Sequence, residues 1–174
     1  FDFTDVIDLF SGSGAVSYMF KSKGKNVLSN DYMAFSANIS KALVENSNQK
    51  LPLARARELV SAPRCADGFV SQTFAGLYFK DEENALIDSL RIGIKKIRNP
   101  YQRSIAMAAL VRACLKKRPR GIFTYTGMRY DDGRKDLVKS FEEHFLTGVE
   151  LYNDAVFDNG TESKSRLGDA MSVR

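Results

Sequence analysis

The sequence predicts an α/β fold in which a parallel sheet is interrupted by a helical insertion. Two short apolar runs, at 4–10 and 25–29, alternate with two helix-like segments, at 15–23 and 33–45. This order is typical of a βαβα unit, whose strands pair in parallel through right-handed crossovers. With 174 residues, of which 44% are hydrophobic, the chain is long and apolar enough to bury one ordinary core.

The first strand is predicted over Thr4–Phe10, because this apolar run contains β-branched residues and ends in a Ser-Gly-Ser-Gly turn. Such a run is typical of a buried strand. The helix that follows ends at Gly24, a suitable C-terminal stop. The second strand closes at Asn30 and Asp31, and the next helix is predicted to begin at Met33.

The middle of the chain is predicted to be helical. A short helix is expected over Leu53–Val60. A longer one is expected over Asp81–Arg98, where acidic residues come first, an apolar stripe follows and Asn99-Pro100 ends the pattern. A second apolar stripe predicts a helix over Gln102–Lys117, with cations in its last turn.

The α/β pattern returns after this insertion. A strand is predicted over Gly121–Gly127, an amphipathic helix over Asp136–Leu146, and a third core strand over Arg166–Ala170. The sequence therefore divides into residues 1–48, 49–120 and 121–174.

Composition excludes several classes of protein. No run approaches the roughly 18 apolar residues of a membrane span, so no membrane partner is expected. Cys65 and Cys114 lie far apart without zinc-like spacing, which favours a reducing interior over a disulfide-stapled fold. The single histidine, His144, lies beside two glutamates and is expected at the surface, so no metal site is predicted.

The net charge of +5 is unevenly distributed. Between Arg91 and Lys139 the sequence has fourteen Lys or Arg residues against three acidic ones, whereas the remainder is acidic. A basic stretch inside an otherwise acidic molecule is typical of phosphate contact. The cations of Lys116, Lys117 and Arg118 lie at a predicted helix end, just before a proline, which favours their presentation by a rigid corner.

Ligands of an open parallel sheet bind beyond the carboxyl ends of its strands. Asp8, Asp31 and Asp169 lie at or beside three such ends, and the turn at 12–14 lies between the first two. Its glycines let the backbone approach a ligand closely. Asp31 is placed to accept hydrogen bonds from two ribose hydroxyls, and Asp169 from an adenine amino group. The pattern indicates an adenosine-bearing cofactor with a ribose diol. A nicotinamide cofactor normally has a third glycine at position 17, so Ser17 disfavours that cofactor without excluding it.

These motifs carry a family resemblance. Asp-Leu-Phe-Ser-Gly-Ser-Gly at 8–14, Ser-Asn-Asp-Tyr at 29–32 and Leu-Gly-Asp-Ala at 167–170 are separated by the helical insertion. In this the chain resembles the DNA adenine methyltransferases, most closely the Dam-like group that transfers a methyl group from S-adenosylmethionine to the exocyclic amino group of adenine. The likeness is strong over 4–45 and 120–170, and loose between them.

The resemblance implies a partial Rossmann-like S-adenosylmethionine methyltransferase sheet with an insertion that recognises double-stranded DNA. Residues 1–48 would be the cofactor-binding βαβα unit and 49–120 the target-recognition insertion. Residues 121–174 would return to the core and end after its third strand. The resemblance also implies the cytoplasm of a prokaryote or its phage, and a restriction endonuclease as a partner in the same system.

The resemblance also assigns roles to residues. The turn from Phe10 to Gly14 would wrap the methionine part of the cofactor, Asp31 would bind its ribose, and Asp169 would contact its adenine. The candidate cofactor-binding residues are Asp8, Phe10, Ser11, Gly12, Ser13, Gly14, Asn30, Asp31, Tyr32, Asp169 and Ala170. The candidate DNA-binding residues are Lys116, Lys117, Arg118, Arg120, Arg129, Arg134 and Lys135.

The sequence departs from the family in its catalytic motif. Asp-Pro-Pro-Tyr, which holds the flipped adenine and its amino group, is absent, since no two of the four prolines are adjacent. The motif normally follows the Gly-Asp-Ala strand, so it is expected just beyond Arg174, and no catalytic residue is assigned. The chain is therefore expected to be a segment that is inactive alone and works with the remainder of its own polypeptide.

Three alternatives stay open at this point, the last of which is the nicotinamide enzyme considered above. A cytosine carbon-5 methyltransferase shares Asp-Leu-Phe-Ser-Gly, although its Pro-Cys nucleophile is absent here. A methyltransferase-like module that binds DNA without catalysis would explain both the basic stretch and the missing motif.

Overall fold

The computed structural model describes residues 2–118 and 135–173, which form a mixed α/β structure with a three-stranded parallel sheet. The strands are β1 (Asp5–Asp8), β2 (Asn26–Asp31) and β3 (Lys164–Leu167). The helices are α1 (Ala15–Ser22), α2 (Ala34–Ser40), α3 (Leu53–Val60), α4 (Phe69–Thr73), α5 (Asp81–Lys95), α6 (Pro100–Lys117) and α7 (Phe141–Asp154). A π-helical turn, Lys41–Glu45, continues α2, and 3₁₀ turns occupy Lys135–Leu137 and Ala170–Ser172.

The sheet confirms the predicted parallel pairing. Its order is β1-β2-β3, with Asp8 opposite Ser29 and Asp31 opposite Leu167. The middle strand is the most buried, because it has a hydrogen-bonded neighbour on each side. The expectation that the first strand is buried is wrong: within the described chain β1 pairs on one side only, and 58% of Ile7 is exposed.

Several predicted boundaries shift for local reasons. Residues 168–170 lie beyond β3, because the Asp169 carboxylate accepts a hydrogen bond from the Met171 N–H (3.0 Å) and caps a 3₁₀ turn. The last helix begins at Phe141 rather than at Asp136. Ser140 and Glu143 form a reciprocal capping box there, with hydrogen bonds of 2.7 and 3.1 Å. The strand predicted over 121–127 lies outside the described residues.

By compactness the chain separates into two units. Unit 1 comprises Phe1–Lys50, Asn99–Ala108 and Leu151–Arg174, and it contains the sheet, α1 and α2. Unit 2 comprises Leu51–Arg98 and Ala109–Glu150, and it contains α3, α4 and α5. The division into 1–48, 49–120 and 121–174 stays a prediction about function.

Glu45, in the π-helical turn, anchors β3 within unit 1. One carboxylate oxygen accepts hydrogen bonds from the Ser165 N–H (2.9 Å) and hydroxyl (2.7 Å), and the other accepts from the Tyr101 hydroxyl (3.2 Å). Burial raises the pKa of Glu45, but the hydrogen bonds from Ser165 and the charge of Lys41 outweigh it, so the net pKa is lowered. The ionised carboxylate therefore fixes the position of β3 along β2.

Lys21 is a buried cation in the same unit. Its side chain is 1% exposed, and its ammonium donates to the Leu43 carbonyl (2.9 Å) and the Asn46 carbonyl (2.7 Å). Burial lowers the pKa of Lys21 from 10.5 to about 8, although the charge of Asp158 opposes the shift. A neutral amine still carries two N–H groups, so both hydrogen bonds survive deprotonation.

We expect the stability of the protein to rise as the pH increases from about 8 towards 10.5, because of Lys21. In that window the unfolded chain keeps the proton that the folded chain has released, so the free energy of unfolding increases with pH. The full contribution is about 3 kcal/mol, from ~1.4 kcal/mol per pKa unit. Urea unfolding at pH 7.5 and 9.5 is expected to show about 2 kcal/mol of it, because pH 9.5 still lies below the unfolded pKa of 10.5.

Lys21→Met is the control for this pH dependence, because it keeps the aliphatic stem and removes the titrating group. Other groups that titrate above pH 8 contribute equally to both proteins and cancel in the difference. An equal pH dependence in wild type and variant would contradict the assignment to Lys21.

Unit 2 is organised around α5. Leu86, Leu90 and Ile94 are at most 1% exposed and form its buried stripe, as the sequence predicts. Asp88, on the same helix, caps α4. Its carboxylate accepts hydrogen bonds from the Val70 N–H (3.0 Å) and the Ser71 N–H (2.8 Å). Burial raises the pKa of Asp88, but its hydrogen bonds outweigh this effect, so the net pKa is lowered and the carboxylate is ionised.

Two further residues of unit 2 bear on the predictions. The expectation that His144 lies at the surface is wrong: it is 4% exposed, and its Nε2 lies 2.6 Å from the Asp136 carbonyl oxygen. Cys114 lines an apolar cavity of about 360 Å³. Burial raises the pKa of the Cys114 thiol to about 12.

In residues 2–118 and 135–173, no helix is both long enough and apolar enough to cross a membrane.

Candidate functional site

The turn after β1 is shaped by two glycines with positive φ. Gly12 has φ 52° and Gly14 has φ 76°, values that L side chains rarely adopt. The Gly14 N–H donates to the Ser11 carbonyl (2.7 Å), and the Ser11 N–H donates to the Asn30 carbonyl (2.9 Å). The turn is therefore closed on itself and fixed to the end of β2. A Cβ at Gly12 would meet only the Phe10 carbonyl, at 4.0 Å, so the space beside it is open to a ligand.

Asp31, the last residue of β2, holds this turn. Its Oδ2 accepts a hydrogen bond from the Gly12 N–H (2.7 Å), and its Oδ1 accepts one from the Met33 N–H (2.7 Å). The residue is 7% exposed. Each carboxylate oxygen retains a lone pair, so the group has acceptor capacity left for a ligand hydroxyl. The sequence predicted this juxtaposition of Asp31 and the glycine turn, but not the hydrogen bonds between them.

Asp8, the last residue of β1, is held by a residue of α1. The Ser17 hydroxyl, which is completely buried, donates to Asp8 Oδ2 at 2.7 Å. A glycine at position 17 would leave this carboxylate oxygen without that partner. Ser17 therefore has a structural role of its own, which its place in the glycine pattern did not predict; the signal in the sequence is a small hydroxyl residue at the third position of α1.

The end of β3 completes this edge of the sheet. The Gly168 N–H donates to the Asp31 carbonyl at 3.0 Å, which places Asp169 directly after the sheet. The Asp169 side chain is exposed, and Ala170 is half-buried at the start of the 3₁₀ turn. The three predicted acidic residues thus lie at or just after the ends of adjacent parallel strands, at one edge of the sheet.

Two aromatic side chains flank this edge. Phe10, beside the glycine turn, and Tyr32, directly after β2, are each 77% exposed. Ser13 is also exposed, whereas Ser11 is 7% exposed and accepts a hydrogen bond from the Ser40 hydroxyl at 3.2 Å. Ser11 is therefore a structural residue of the turn, and the aromatic pair offers apolar surface to a planar ligand.

Asn30 is buried where the three strands end. It is 1% exposed, and its amide NH₂ donates to the Leu9 carbonyl and to the Gly168 carbonyl, both at 3.1 Å. Its amide faces protein carbonyls directly after β1 and directly after β3, and its place among the cofactor-binding candidates stays a prediction. Nothing in the strand pattern of the sequence indicated this role.

The predicted basic cluster at the end of α6 is largely engaged within unit 2. Lys116 forms an ion pair with Asp136 (2.8 Å), and Lys117 forms one with Glu83 (3.4 Å). The expectation that the cluster presents its cations at an exposed corner is wrong for Arg118. That side chain is 2% exposed and donates to the Tyr78 carbonyl at 3.4 Å.

The remaining DNA-binding candidates are distributed as follows. Lys135 is exposed at the start of a 3₁₀ turn. Arg120, Arg129 and Arg134 lie outside the described residues.

Other cations of the basic stretch are free to contact solvent. Lys95, Lys96 and Arg98, at and just after the end of α5, are exposed. No ion pair holds them in the part of the chain that the structure describes. They belong to the basic stretch of the sequence, but the run before Pro119 was predicted to contact phosphate. Which cations of a stretch find acidic partners depends on tertiary contacts that the sequence does not reveal.

No group of three or more His, Cys, Asp or Glu side chains converges as a metal site would require, within residues 2–118 and 135–173. The acids at the carboxyl edge of the sheet are held by backbone N–H groups and a hydroxyl instead.

The chain matches the model of the D12 class N6 adenine-specific DNA methyltransferases over residues 2–167. It is also similar to the Type II methyltransferase M2.HphI of Haemophilus parahaemolyticus, with 30% identity over 172 residues. That alignment covers 91% of this chain and 51% of the relative, so the chain spans about half the length of that protein. No solved structure matches significantly. Because the family match covers nearly the whole chain, the chain belongs to the D12 class N6 adenine-specific DNA methyltransferases.

Proposed function

We propose that this protein methylates the exocyclic amino group of adenine in DNA, and that the carboxyl edge of its sheet binds the methyl donor, S-adenosylmethionine. The family supports the reaction. The observation that carries the site is the Asp31 carboxylate, which holds the Gly12 N–H at 2.7 Å and so joins the glycine turn to the second strand end. The whole edge is proposed to be the partial Rossmann-like sheet of such an enzyme.

The charges of this edge fit the proposed cofactor. S-adenosylmethionine supplies a methyl group activated by a positively charged sulfonium. Asp8, Asp31 and Asp169 give the edge a negative potential that favours this cation. The first turn of α1 has no acidic residue and no side-chain cap, so its free N–H groups and helix dipole favour the carboxylate of the methionine part.

Each part of the edge has a proposed task. Asp31 accepts hydrogen bonds from the ribose hydroxyls with its remaining lone pairs. Asp169, which is exposed, accepts from the adenine amino group of the cofactor. Phe10 and Tyr32 cover the apolar surface of the bound molecule and exclude water from it. The open space beside Gly12 lets the backbone approach the methionine part.

The reaction also requires groups that raise the nucleophilicity of the adenine amino nitrogen. Its lone pair is delocalised into the ring, so acceptors must draw its hydrogens away. The sequence contains no Asp-Pro-Pro-Tyr motif, and we assign no catalytic residue within the chain. Residues 49–120 are proposed to recognise DNA, with the exposed cations after α5 as contacts to phosphate.

Transfer of label tests the proposed reaction. Because the catalytic motif is proposed to lie outside this chain, the complete polypeptide that contains the chain is incubated with S-adenosylmethionine labelled in its methyl group and with duplex DNA, and the digested nucleosides are separated. Label in N6-methyladenine is the expected result. Label in 5-methylcytosine would overturn the proposal in favour of the cytosine alternative. DNA binding with no transferred label would favour the non-catalytic module instead.

A salt titration of DNA binding distinguishes the exposed cations after α5 from the paired lysines at the end of α6. The triple variant Lys95→Gln, Lys96→Gln and Arg98→Gln is expected to reduce the slope of log K against log [salt] by about 2 to 3, since each phosphate contact contributes about 0.9. The control is Lys116→Gln with Lys117→Gln, whose cations are engaged by Asp136 and Glu83. A change of slope in the control alone would assign the phosphate contacts to the cluster on α6.

The relative also supports a proposed cellular location and a proposed partner. We place the protein in the cytoplasm of a prokaryote or its phage, acting on double-stranded DNA, because the matched protein is bacterial. Its Type II classification supports a restriction endonuclease as a partner of the same system.

A further inference from the structure

The three strand ends that carry the acidic residues are joined by one side chain. Asn30 lies on β2, the middle strand, and is the residue whose side chain reaches both neighbours. Its NH₂ group donates to the carbonyl of Leu9, directly after β1, and to the carbonyl of Gly168, directly after β3, both at 3.1 Å. The first carbonyl begins the glycine turn, and the second immediately precedes Asp169.

The chemistry of this contact requires an asparagine. Both partners are carbonyl oxygens, so both must receive a hydrogen, and a primary amide supplies two donors from one nitrogen. The orientation of the amide follows from this, because the opposite rotamer would place Oδ1 against two acceptors. Aspartate has the same shape but would present a carboxylate to both carbonyls.

The opposite end of the amide is unsatisfied. Asn30 Oδ1 is buried and has no hydrogen-bond partner in the described chain. Leaving a buried acceptor unpaired costs about 1–3 kcal/mol. The side chain is therefore held at this position by its two donated hydrogen bonds, and a substitution to a smaller apolar residue would remove that cost while losing the contacts.

We infer that Asn30 is a positioning residue that sets the distance between the glycine turn and Asp169, and hence between the two halves of the cofactor site. This rests on the proposed function, in which the turn holds the methionine part and Asp169 the adenine. Asn30 acts through the backbone of both neighbours and does not contact the cofactor itself. The unpaired Oδ1 leaves the amide no competing contact that would draw it away from the two carbonyls.

The first test needs no ligand. In amide NMR spectra of the free protein, Asn30→Asp is expected to shift the resonances of both the 10–14 turn and residues 168–172. The matched control is Asn26→Asp at the other end of β2, whose amide donates to Asp5 at 2.8 Å. Shifts confined to one segment, or equal shifts in the control, would overturn the inference. If Asn30→Asp does not fold, Asn30→Ser removes one donor without adding charge.

The second test measures the affinity of the folded fraction for S-adenosylmethionine by calorimetry. A purely structural role would lower the fraction that folds and leave the dissociation constant of the rest unchanged. We expect a dissociation constant at least 10-fold higher for Asn30→Asp than for wild type. We also expect Asp169→Ala to raise the dissociation constant less in the Asn30→Asp background than in wild type. An unchanged constant, or additive effects, would overturn the positioning role. Failure of the wild-type protein to bind S-adenosylmethionine would instead overturn the proposed function, and the ligand-free spectra would still report on the two hydrogen bonds of the Asn30 amide.

Discussion

Replacing Asp31 with alanine is expected to weaken the binding of S-adenosylmethionine by at least about 100-fold. The variant loses the carboxylate proposed to accept from the ribose hydroxyls, and hydrogen bonds to a charged group contribute about 1.5–3 kcal/mol each. It also releases the Gly12 and Met33 N–H groups, both held at 2.7 Å, so the turn loses its anchor to β2. Isothermal calorimetry of the purified variant measures the change.

Asp5→Ala is the matched control for this prediction. Asp5 is a carboxylate of the same sheet, but it lies at the start of β1, at the opposite edge, where it accepts a hydrogen bond from Asn26 at 2.8 Å. Its removal is expected to leave the affinity within about 2-fold of wild type, since surface changes away from a site have small effects. Equal affinities for Asp31→Ala and wild type would contradict the placement of the ribose.

Gly68→Ala is expected to cost about 2–4 kcal/mol of unfolding free energy, the largest stability effect that we anticipate for so small a change. A Cβ at this position would lie 2.3 Å from Asp88 Cγ and 2.5 Å from its Oδ2. The carboxylate would have to leave the Val70 and Ser71 N–H groups that it caps, so a buried charge would lose its donors. Urea denaturation followed by circular dichroism gives the free energy.

A double-variant cycle tests the cause. In an Asp88→Ala background the clashing carboxylate is absent, so adding Gly68→Ala is expected to change stability by less than about 1 kcal/mol. The backbone at Gly68 has φ −77°, which alanine adopts without strain, so the clash alone accounts for the effect. Additive losses in the double variant would show that the glycine is required for another reason.

The sequence predicted the parts of the fold that depend on local pattern. Apolar runs separated by a glycine turn and helix-like segments predicted the parallel sheet, and the stripe on α5 predicted its buried face. Two element boundaries were predicted wrongly, because side-chain caps determine them. The start of α7 depends on the Ser140 cap, and the end of β3 depends on the Asp169 cap, both of which are short-range signals that hydrophobic periodicity does not contain.

The candidate site, like the fold, was predicted only in part. Acidic residues at strand ends can be read from the sequence, because parallel strands bring their carboxyl ends to one edge. The residues that hold these strand ends in place cannot be read from the sequence. Ser17 on Asp8, and Asn30 between Leu9 and Gly168, depend on distances across the sheet. The exposure of a charged side chain is also not predictable from sequence. Arg118 follows two other cations in the chain, yet it is buried against Tyr78.

The register of the sheet has a consequence for the order of folding. β2 pairs with β1 from about 20 residues away, whereas its pairing of Leu28 with Lys164 joins residues separated by most of the chain. Closing a longer loop has a greater entropic cost and slows the formation of contacts across it. We therefore expect β1, α1 and β2 to assemble early, and β3 to join last. During synthesis, a nascent chain would hold the glycine turn and Asp31 in place well before Asp169 reaches them.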